Sequence, residues 1–378
     1  MRLGRIAAVA ASLALCAVAL ALVLRVYAGR PQTDARVFYT GAVLCGPDLY
    51  NYDRQIQVQR GMVFAPYLRA PFYALALRPL LPFNFWPAWF VVNLAALALL
   101  MRLLPPATER SRNSYISLFP LLFVAGFLLN VVFQQDGAIT GLILTAVLLL
   151  ARVRRDWLAG AVLALTLQKP TLFLLLPLVL LLHRRWRALA GYAVTGAALA
   201  AVSVAITGWG AVRNYMDLIR RYPVELYRMP TAGGIAANLN WLPLWPLLSV
   251  LALALVLWAV RRLEFGAAFC LAIAGSLFIS PQSYGHDCAV LLLPLAYFFR
   301  RGGTFLRVME LVLLFPPEQL LWLAPQPWAV LYGLGTALYV AAIAFDRRLV
   351  ELWPAGPSRA ARQPPHACGF PILLWWRL

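Results

Sequence analysis

The chain has 378 residues, of which 62% are hydrophobic and 12% are charged, and its mean hydropathy is +0.75. Soluble domains carry about a quarter charged residues, so this composition excludes an ordinary soluble enzyme and predicts a polytopic membrane protein. The net charge of +19 comes from 33 basic and 14 acidic residues. Because the arginines lie between apolar segments, they are typical of membrane loops, and we expect no nucleic-acid partner.

The first predicted element is a transmembrane helix from residue 6 to about residue 26, preceded by Arg2 and Arg5. This segment is longer than a signal-peptide core. It also lacks a convincing cleavage site, because Arg25 and Arg30 interrupt the small residues expected there. We therefore expect a first helix that is retained in the protein.

A polar segment at residues 28–84 follows this helix. It begins with "PQTDARVFYTGAVLCGP", where Thr33 or Asp34 occupies an N-cap position and Gly46 with Pro47 marks a stop. The pattern predicts a short helix at the membrane surface. The remainder mixes aromatic residues with Arg69 and Arg78 and suits the lipid headgroup layer, whereas Asp48 and Asp53 have the context of turn and loop residues.

Further apolar segments have the composition of membrane helices, although several are shorter than the 20 or so residues that span a bilayer. They are centred on residues 85–104, 115–133, 137–151, 157–168, 170–182, 188–206, 244–260, 266–280, 287–299, 306–323 and 327–345. The expected fold class is therefore an all-α polytopic membrane protein, a bundle of about 10–13 transmembrane helices with short interfacial helices in its first loop.

The short connections alternate in charge along the chain. Those such as "RVRRD", "HRRWR" and "DRR" are basic, whereas the intervening "NVVFQQDG", "LQKP", "SPQSYGHD" and "LAPQPW" contain one lysine in total. This asymmetry places the basic loops in the cytoplasm. It places both long connections, residues 28–84 and 207–243, on the outer side. We expect a membrane domain over residues 1–345 and a cytoplasmic tail over residues 346–378.

The second long connection, residues 207–243, again mixes aromatic residues with arginines, among them Arg213, Arg220, Arg221 and Arg228. A membrane protein that needed only its helices would not require two long polar loops on one side. Since binding and catalytic residues concentrate in such loops, we expect the functional site there.

Several stretches carry a resemblance to a known family. They are the aspartate straight after the first helix, then "YLRAPFYALALRPL", "QQDGAITGLILTAVLLL", "LTLQKPTLFLLLPLVLLLHRRWRAL" and "SPQSYGHDCAVLLLPLAYF". In order and spacing, from about residue 30 to residue 300, they resemble membrane glycosyltransferases of the GT-C class. The closest likeness is to glycosyltransferase family 87, the polyprenyl-phosphate-mannose-dependent mannosyltransferases.

The resemblance implies a GT-C fold and a hexosyltransferase of the bacterial cell (inner) membrane. It implies transfer of a sugar, mannose in that family, from a polyprenyl monophosphate donor to a glycan or glycolipid acceptor at the outer face. The acceptor is not indicated by the sequence, and mannose rests on the resemblance alone. Membrane lipid is the other expected partner.

The resemblance makes Asp34 the candidate general base that takes a proton from the acceptor hydroxyl. Its neighbour Arg36 could help to keep the carboxylate ionised, and we group Arg36 with the residues that bind the donor. The alternative is that Asp34 only caps the helix that begins at Ala35.

Three further residues are assigned to the donor through the resemblance. Lys169, before Pro170, would bind the phosphate, although a lysine that extends to the headgroups is the alternative. His286 would contact phosphate or sugar, unless it is a capping or packing residue. Gln135, with Gln134 and Asp136, would hydrogen-bond sugar hydroxyls or simply form a turn.

No cofactor or metal is predicted, because the chain has no DxD pair, HExxH or Walker loop. Its five cysteines lack the spacing of a zinc site or a disulfide scaffold. A membrane transporter or lipid flippase is the alternative function. That class predicts two related halves and charges at the bilayer midplane, whereas the two halves here show no repeat. A noncatalytic scaffold would not need the polar outer loops.

Overall fold

The computed structural model describes residues 34–62, 64–104, 125–132, 134–222, 225–299, 301–314 and 327–351, with a few isolated positions before residue 34 and at residue 122. All regular structure in these ranges is helical, which confirms the all-α class. The predicted first helix, most of the predicted span 115–133, the end of the span 306–323 and most of the tail lie outside the described residues.

The first long connection folds into the short helices Ala35–Val43, Tyr52–Val58 and Pro71–Leu77, followed by the 3-10 turn Arg78–Phe83. The first of these confirms the helix predicted between Asp34 and the Gly46–Pro47 stop. The second is capped by the Asn51 side chain, which accepts a hydrogen bond from the Arg54 backbone N–H at 3.1 Å.

These short helices enclose an apolar cluster of their own. The rings of Phe38 and Trp89 lie 4.7 Å apart, and Tyr67 is fully buried against Gly41, where a Cβ atom would collide with its ring. The prediction that this part of the loop lies among headgroups is therefore wrong for Tyr67 and for Arg69, which is 8% exposed. The loop is a packed part of the fold because its aromatic side chains pack against one another.

Two helices of the described part, Phe85–Leu103 and Trp186–Thr207, have both the length and the apolar composition to cross a membrane. At 1.5 Å per residue they extend about 28 and 33 Å. Shorter apolar helices include Gly137–Arg152, Leu244–Val260, Phe265–Ile279 and Val330–Phe345. The helices agree with the predicted segments, but the count of 10–13 spans stays a prediction.

The centre of the bundle is Phe265–Ile279, whose residues are buried from Phe265 to Phe278. It packs against Leu244–Val260 and Val330–Phe345, and these two helices also contact each other. Elsewhere, Trp186–Thr207 approaches Asp156–Leu163 closely because Gly160 and Gly191 each face a backbone carbonyl of the other helix. Side chains at these two positions would push the helices apart.

The predicted spans 157–168 and 170–182 meet at a break in the helical backbone. Asp156–Leu163 tightens into the 3-10 segment Ala164–Gln168, and regular helix resumes only at Leu176–Leu182. Lys169, in the break, has φ −136° and ψ 74°. The backbone leaves the helical region there because the following residue, Pro170, disfavours an α conformation at Lys169.

The second long connection contains Ala211–Arg221, the 3-10 turn Leu226–Arg228 and Ala232–Asn238. Thr231 caps the last of these by accepting a hydrogen bond from the Gly234 N–H at 3.2 Å. The predicted span 287–299 begins as the 3-10 segment Gly285–Leu291 and continues as Leu292–Phe298. Both connections thus contribute structured segments around the break at Lys169.

Candidate active site

A cavity of about 400 Å³ lies among the first connection, the break at Lys169, the second connection and the start of Gly285–Leu291. Its lining includes five of the residues that the sequence nominated for the site, namely Asp34, Arg36, Gln135, Lys169 and His286, but not Gln134 or Asp136. These residues are up to 252 positions apart in the chain (286 − 34), and the fold brings them to one place.

Asp34 precedes the helix Ala35–Val43, but its side chain makes no capping hydrogen bond, and its own backbone is helical at φ −67° and ψ −5°. Instead, its Oδ2 accepts a hydrogen bond from Gln135 Nε2 at 2.6 Å. The capping alternative is therefore wrong. Gln135 orients a carboxylate that faces the cavity.

Lys169 Nζ donates to Asp287 Oδ2 at 2.5 Å, and the two side chains are only 13% and 5% exposed. Asp287 also accepts from the backbone N–H of Tyr284 at 2.9 Å, which fixes the carboxylate at the start of its helix. Lys169 is therefore buried and paired, and the alternative of a lysine that extends to headgroups is wrong. Burial lowers the pKa of Lys169, and the negative charge of Asp287 opposes that shift.

His286 lies between the two carboxylates. Its Nδ1 is 3.9 Å from Asp34 Oδ2, and its Nε2 is 3.8 Å from Asp287 Oδ2. These distances exceed those of direct hydrogen bonds. The imidazole stacks on the ring of Tyr284, with centroids 5.8 Å apart and planes 29° apart. Asp287, and not His286, provides the capping interaction of this segment.

A second buried ion pair stands beside the first. Arg69 donates to Asp136 Oδ1 at 2.7 Å, and the two side chains are 9% and 4% exposed. The prediction that Asp136 binds sugar hydroxyls is wrong, since it is buried against Arg69. The backbone carbonyl of Gln134 accepts a hydrogen bond from Trp89 Nε1 at 2.8 Å. In this turn only Gln135 lines the cavity.

The two ion pairs share one arrangement. Arg69 and Lys169 line the cavity, whereas their partners Asp136 and Asp287 do not. Each carboxylate thus lies behind a cation that faces the empty space. Arg36 is a third cation in the lining and is 7% exposed. The cavity lining therefore combines these three cations with the carboxylate of Asp34.

Some residues of this site were not predicted from the sequence. Asp287 is next to the nominated histidine, and Arg69 lies inside a quoted motif, so signals for both were present. The sequence did not indicate which aromatic side chains would line the same cavity, and the described part of the structure shows five, namely Phe38, Phe64, Tyr215, Tyr222 and Tyr284. Among the residues that the structure describes, no three His, Cys, Asp or Glu side chains are grouped as a metal site would require.

The sequence model of glycosyltransferase family 87 matches residues 67–281, which is more than half of the chain. The chain belongs to glycosyltransferase family 87. It is therefore a glycosyltransferase, an enzyme that needs a sugar donor and an acceptor. No curated protein and no solved structure matches it. Gln135 and Lys169 lie within the matched range, whereas Asp34, Arg36 and His286 lie outside it.

Proposed function

We propose that this glycosyltransferase moves a sugar, mannose in the first instance, from a polyprenyl monophosphate to a glycan or glycolipid acceptor, with Asp34 as the general base. The observation that supports it most strongly is the convergence of Asp34, Lys169 and His286 on one cavity. A carboxylate and a buried cation in the lining of one small cavity suit a displacement in which a proton is removed and a phosphate leaves.

In the proposed reaction the acceptor oxygen attacks the anomeric carbon as its proton passes to Asp34. The bond between that carbon and the phosphate oxygen breaks, and polyprenyl phosphate departs with the bonding electrons. A carboxylate is too weak a base to ionise a sugar hydroxyl beforehand, so it must act while the new bond forms. The hydrogen bond from Gln135 holds it in position for this step.

The leaving phosphate gains charge, and cations that face it stabilise that charge. An ammonium group has three N–H donors, so Lys169 can contact phosphate oxygens while it stays paired with Asp287. Arg69, Arg36 and His286 line the same space and extend the binding site for phosphate and sugar. The carboxylates behind the two paired cations keep the site from carrying excess positive charge before the donor binds.

We place the enzyme in the bacterial inner membrane with the cavity on the periplasmic or extracellular side. This assignment is supported by the charge asymmetry of the short loops. It is also supported by the apolar side chains that the described helices leave exposed, among them Val91, Val194, Val202, Val250 and Leu251. Such surfaces are expected to contact lipid chains, and a polyprenyl donor would reach the cavity from the same lipid.

The test is single-turnover transfer of labelled mannose from polyprenyl-phosphate mannose to a membrane glycolipid extract. The enzyme is saturated with the labelled donor before the acceptor extract is added. Asp34→Asn removes the proton acceptor but keeps an oxygen for the Gln135 hydrogen bond. We expect transfer to fall by at least roughly a hundredfold, with donor binding and the melting temperature unchanged.

Asp34→Ser, which also removes the carboxylate, checks that the loss does not depend on the asparagine amide. Transfer by Asp34→Asn at nearly the wild-type rate would assign the base elsewhere. The same preparations in vesicles report movement of intact lipid between leaflets. Movement without transfer would favour the flippase alternative.

A further inference from the structure

Part of the cavity lining is formed by aromatic residues that the proposed reaction does not use. Phe64, Tyr215, Tyr222 and Tyr284 all line the cavity and are half-buried, and we call this group the aromatic wall. Two of its rings come from the second long connection or its edge, one from the first, and one from the turn before Gly285–Leu291. They form one surface only in the folded protein.

Each ring of the wall contacts another aromatic ring, either within the wall or beside it. The rings of Phe64 and Tyr222 meet edge to face at 5.9 Å, and Tyr215 meets Tyr50 edge to face at 5.0 Å. Tyr284 stacks on His286, whose Nδ1 is 3.9 Å from Asp34 Oδ2. The wall therefore reaches to within one imidazole ring of the proposed base.

Tyr222 is the member of the wall on which the charge of Asp34 acts. The charges that act on the Tyr222 hydroxyl are those of Glu225, Arg36 and Asp34, whereas Arg69 acts on Tyr215 and Asp287 on Tyr284. A ligand on this wall would thus present its groups to the base. The donor phosphate would lie at Lys169.

The chemistry of the wall favours a neutral ring over a phosphate or a lipid chain. The charged residues at its edge neutralise each other, because Arg228 donates to Glu225 at 2.7 Å. Its three tyrosines carry hydroxyl groups, which a hydrocarbon chain could not satisfy. Burial raises the pKa of Tyr222, so its hydroxyl remains a hydrogen-bond donor at neutral pH.

We propose that the aromatic wall is the acceptor subsite and that it binds a neutral pyranose ring of a glycan, stacked on Tyr222 and Tyr284 with one hydroxyl directed at Asp34. A pyranose has an apolar face of C–H groups and a polar rim of hydroxyls. The negative face of a tyrosine ring attracts such C–H groups, and the phenol hydroxyl bonds the rim. This inference rests on the proposed function for the role of Asp34.

The experiment measures binding without any donor, by saturation-transfer NMR of the neutral trisaccharides mannotriose and maltotriose with the full chain in lipid nanodiscs. We expect Tyr222→Leu to weaken binding of the preferred trisaccharide roughly three- to tenfold, the value of an aromatic contact. Tyr222→Phe keeps the ring and should retain most of the binding.

Tyr52→Leu is the matched control. The Tyr52 ring packs edge to face against Phe64 at 5.2 Å but does not line the cavity, so we expect wild-type binding. Absence of trisaccharide binding by the wild type, or equal binding by Tyr222→Leu, would overturn the proposal.

The test separates this inference from the proposed function. If the wild type binds a trisaccharide through Tyr222 but transfers nothing from polyprenyl-phosphate mannose, the donor assignment fails and the subsite stands. If Tyr222→Leu transfers sugar with an unchanged acceptor KM, the subsite fails and the donor assignment stands.

Discussion

The two sides of the cavity are built from different chemistry. On one side Lys169 and Arg69 are buried, charged and each backed by a carboxylate. On the other, the aromatic wall carries ring faces, and the charged pair at its edge, Arg228 with Glu225, is exposed to solvent. Charged side chains are therefore concentrated where a phosphate would leave, whereas aromatic ring faces are concentrated where an acceptor would be held.

The charged side separates further into two pairs. A guanidinium stays protonated at any accessible pH, so the pair of Arg69 with Asp136 behaves as a fixed structural contact. Lys169 is different, because burial lowers its pKa and Asp287 opposes the shift. The protonation of Lys169 thus depends on its partner. Substitutions at this pair should affect donor use, and substitutions at the wall should affect the acceptor.

The largest effect on the charged part of the cavity is expected from substitution of Lys169. Lys169→Ala removes the ammonium group from the phosphate side, and a hydrogen bond to a charged group contributes about 1.5–3 kcal/mol, or roughly a ten- to hundredfold change. We therefore expect the donor KM to rise by that factor while the acceptor KM stays constant. Initial rates against both substrates measure the two constants.

Lys169→Ala also leaves Asp287 buried without its cation, which can cost about 3–5 kcal/mol of stability. The double variant Lys169→Ala/Asp287→Asn removes both charges and is the control. It should melt near the wild-type temperature and keep the raised donor KM. A wild-type donor KM in the double variant would remove Lys169 from the phosphate site.

A smaller effect is expected from Asp287→Asn, which keeps the oxygen that bonds the Tyr284 N–H but removes the negative charge. The pKa of Lys169 should fall further below its usual value, since the opposing charge is lost. Because donor binding needs the protonated ammonium, kcat/KM for the donor should decline at a lower pH than in the wild type. Rates across neutral to alkaline pH measure this decline.

The positive charge of Arg69 also lowers the pKa of Lys169. Substitution of Arg69 should therefore change this pKa in the direction opposite to Asp287→Asn, and it serves as the control. Arg69→Gln should move the alkaline decline to higher pH if the enzyme folds. An unchanged pH profile in Asp287→Asn would mean that the protonation of Lys169 does not limit donor use.

The smallest effect is expected outside the cavity. Asp48 and Arg54 are 3.9 Å apart and more than half exposed, and exposed ion pairs contribute less than about 1 kcal/mol. Asp48→Ala should therefore leave the melting temperature and the transfer rate at wild-type values. A clear loss of transfer would show that the site extends further along the first connection than the cavity lining indicates.

The sequence by itself predicted the all-helical class and the positions of most helices, because apolar segments and Pro or Gly stops are local signals. Examples are Phe85–Leu103 and Leu244–Val260, whose limits agree with the predicted segments. It also nominated Asp34, Lys169 and His286 through a family resemblance. The matched family then confirmed that the chain is a glycosyltransferase.

The hydrogen-bond partners of the site residues depend on the tertiary structure alone. Asp34 pairs with Gln135, 101 positions away, and Lys169 pairs with Asp287, 118 positions away. Such contacts depend on how helices pack, which periodicity cannot encode, and this is why the capping and headgroup alternatives failed. The sequence showed aromatic residues in both long connections but not which of them form the aromatic wall, because scattered rings become a surface only when packing brings three separate segments to one cavity.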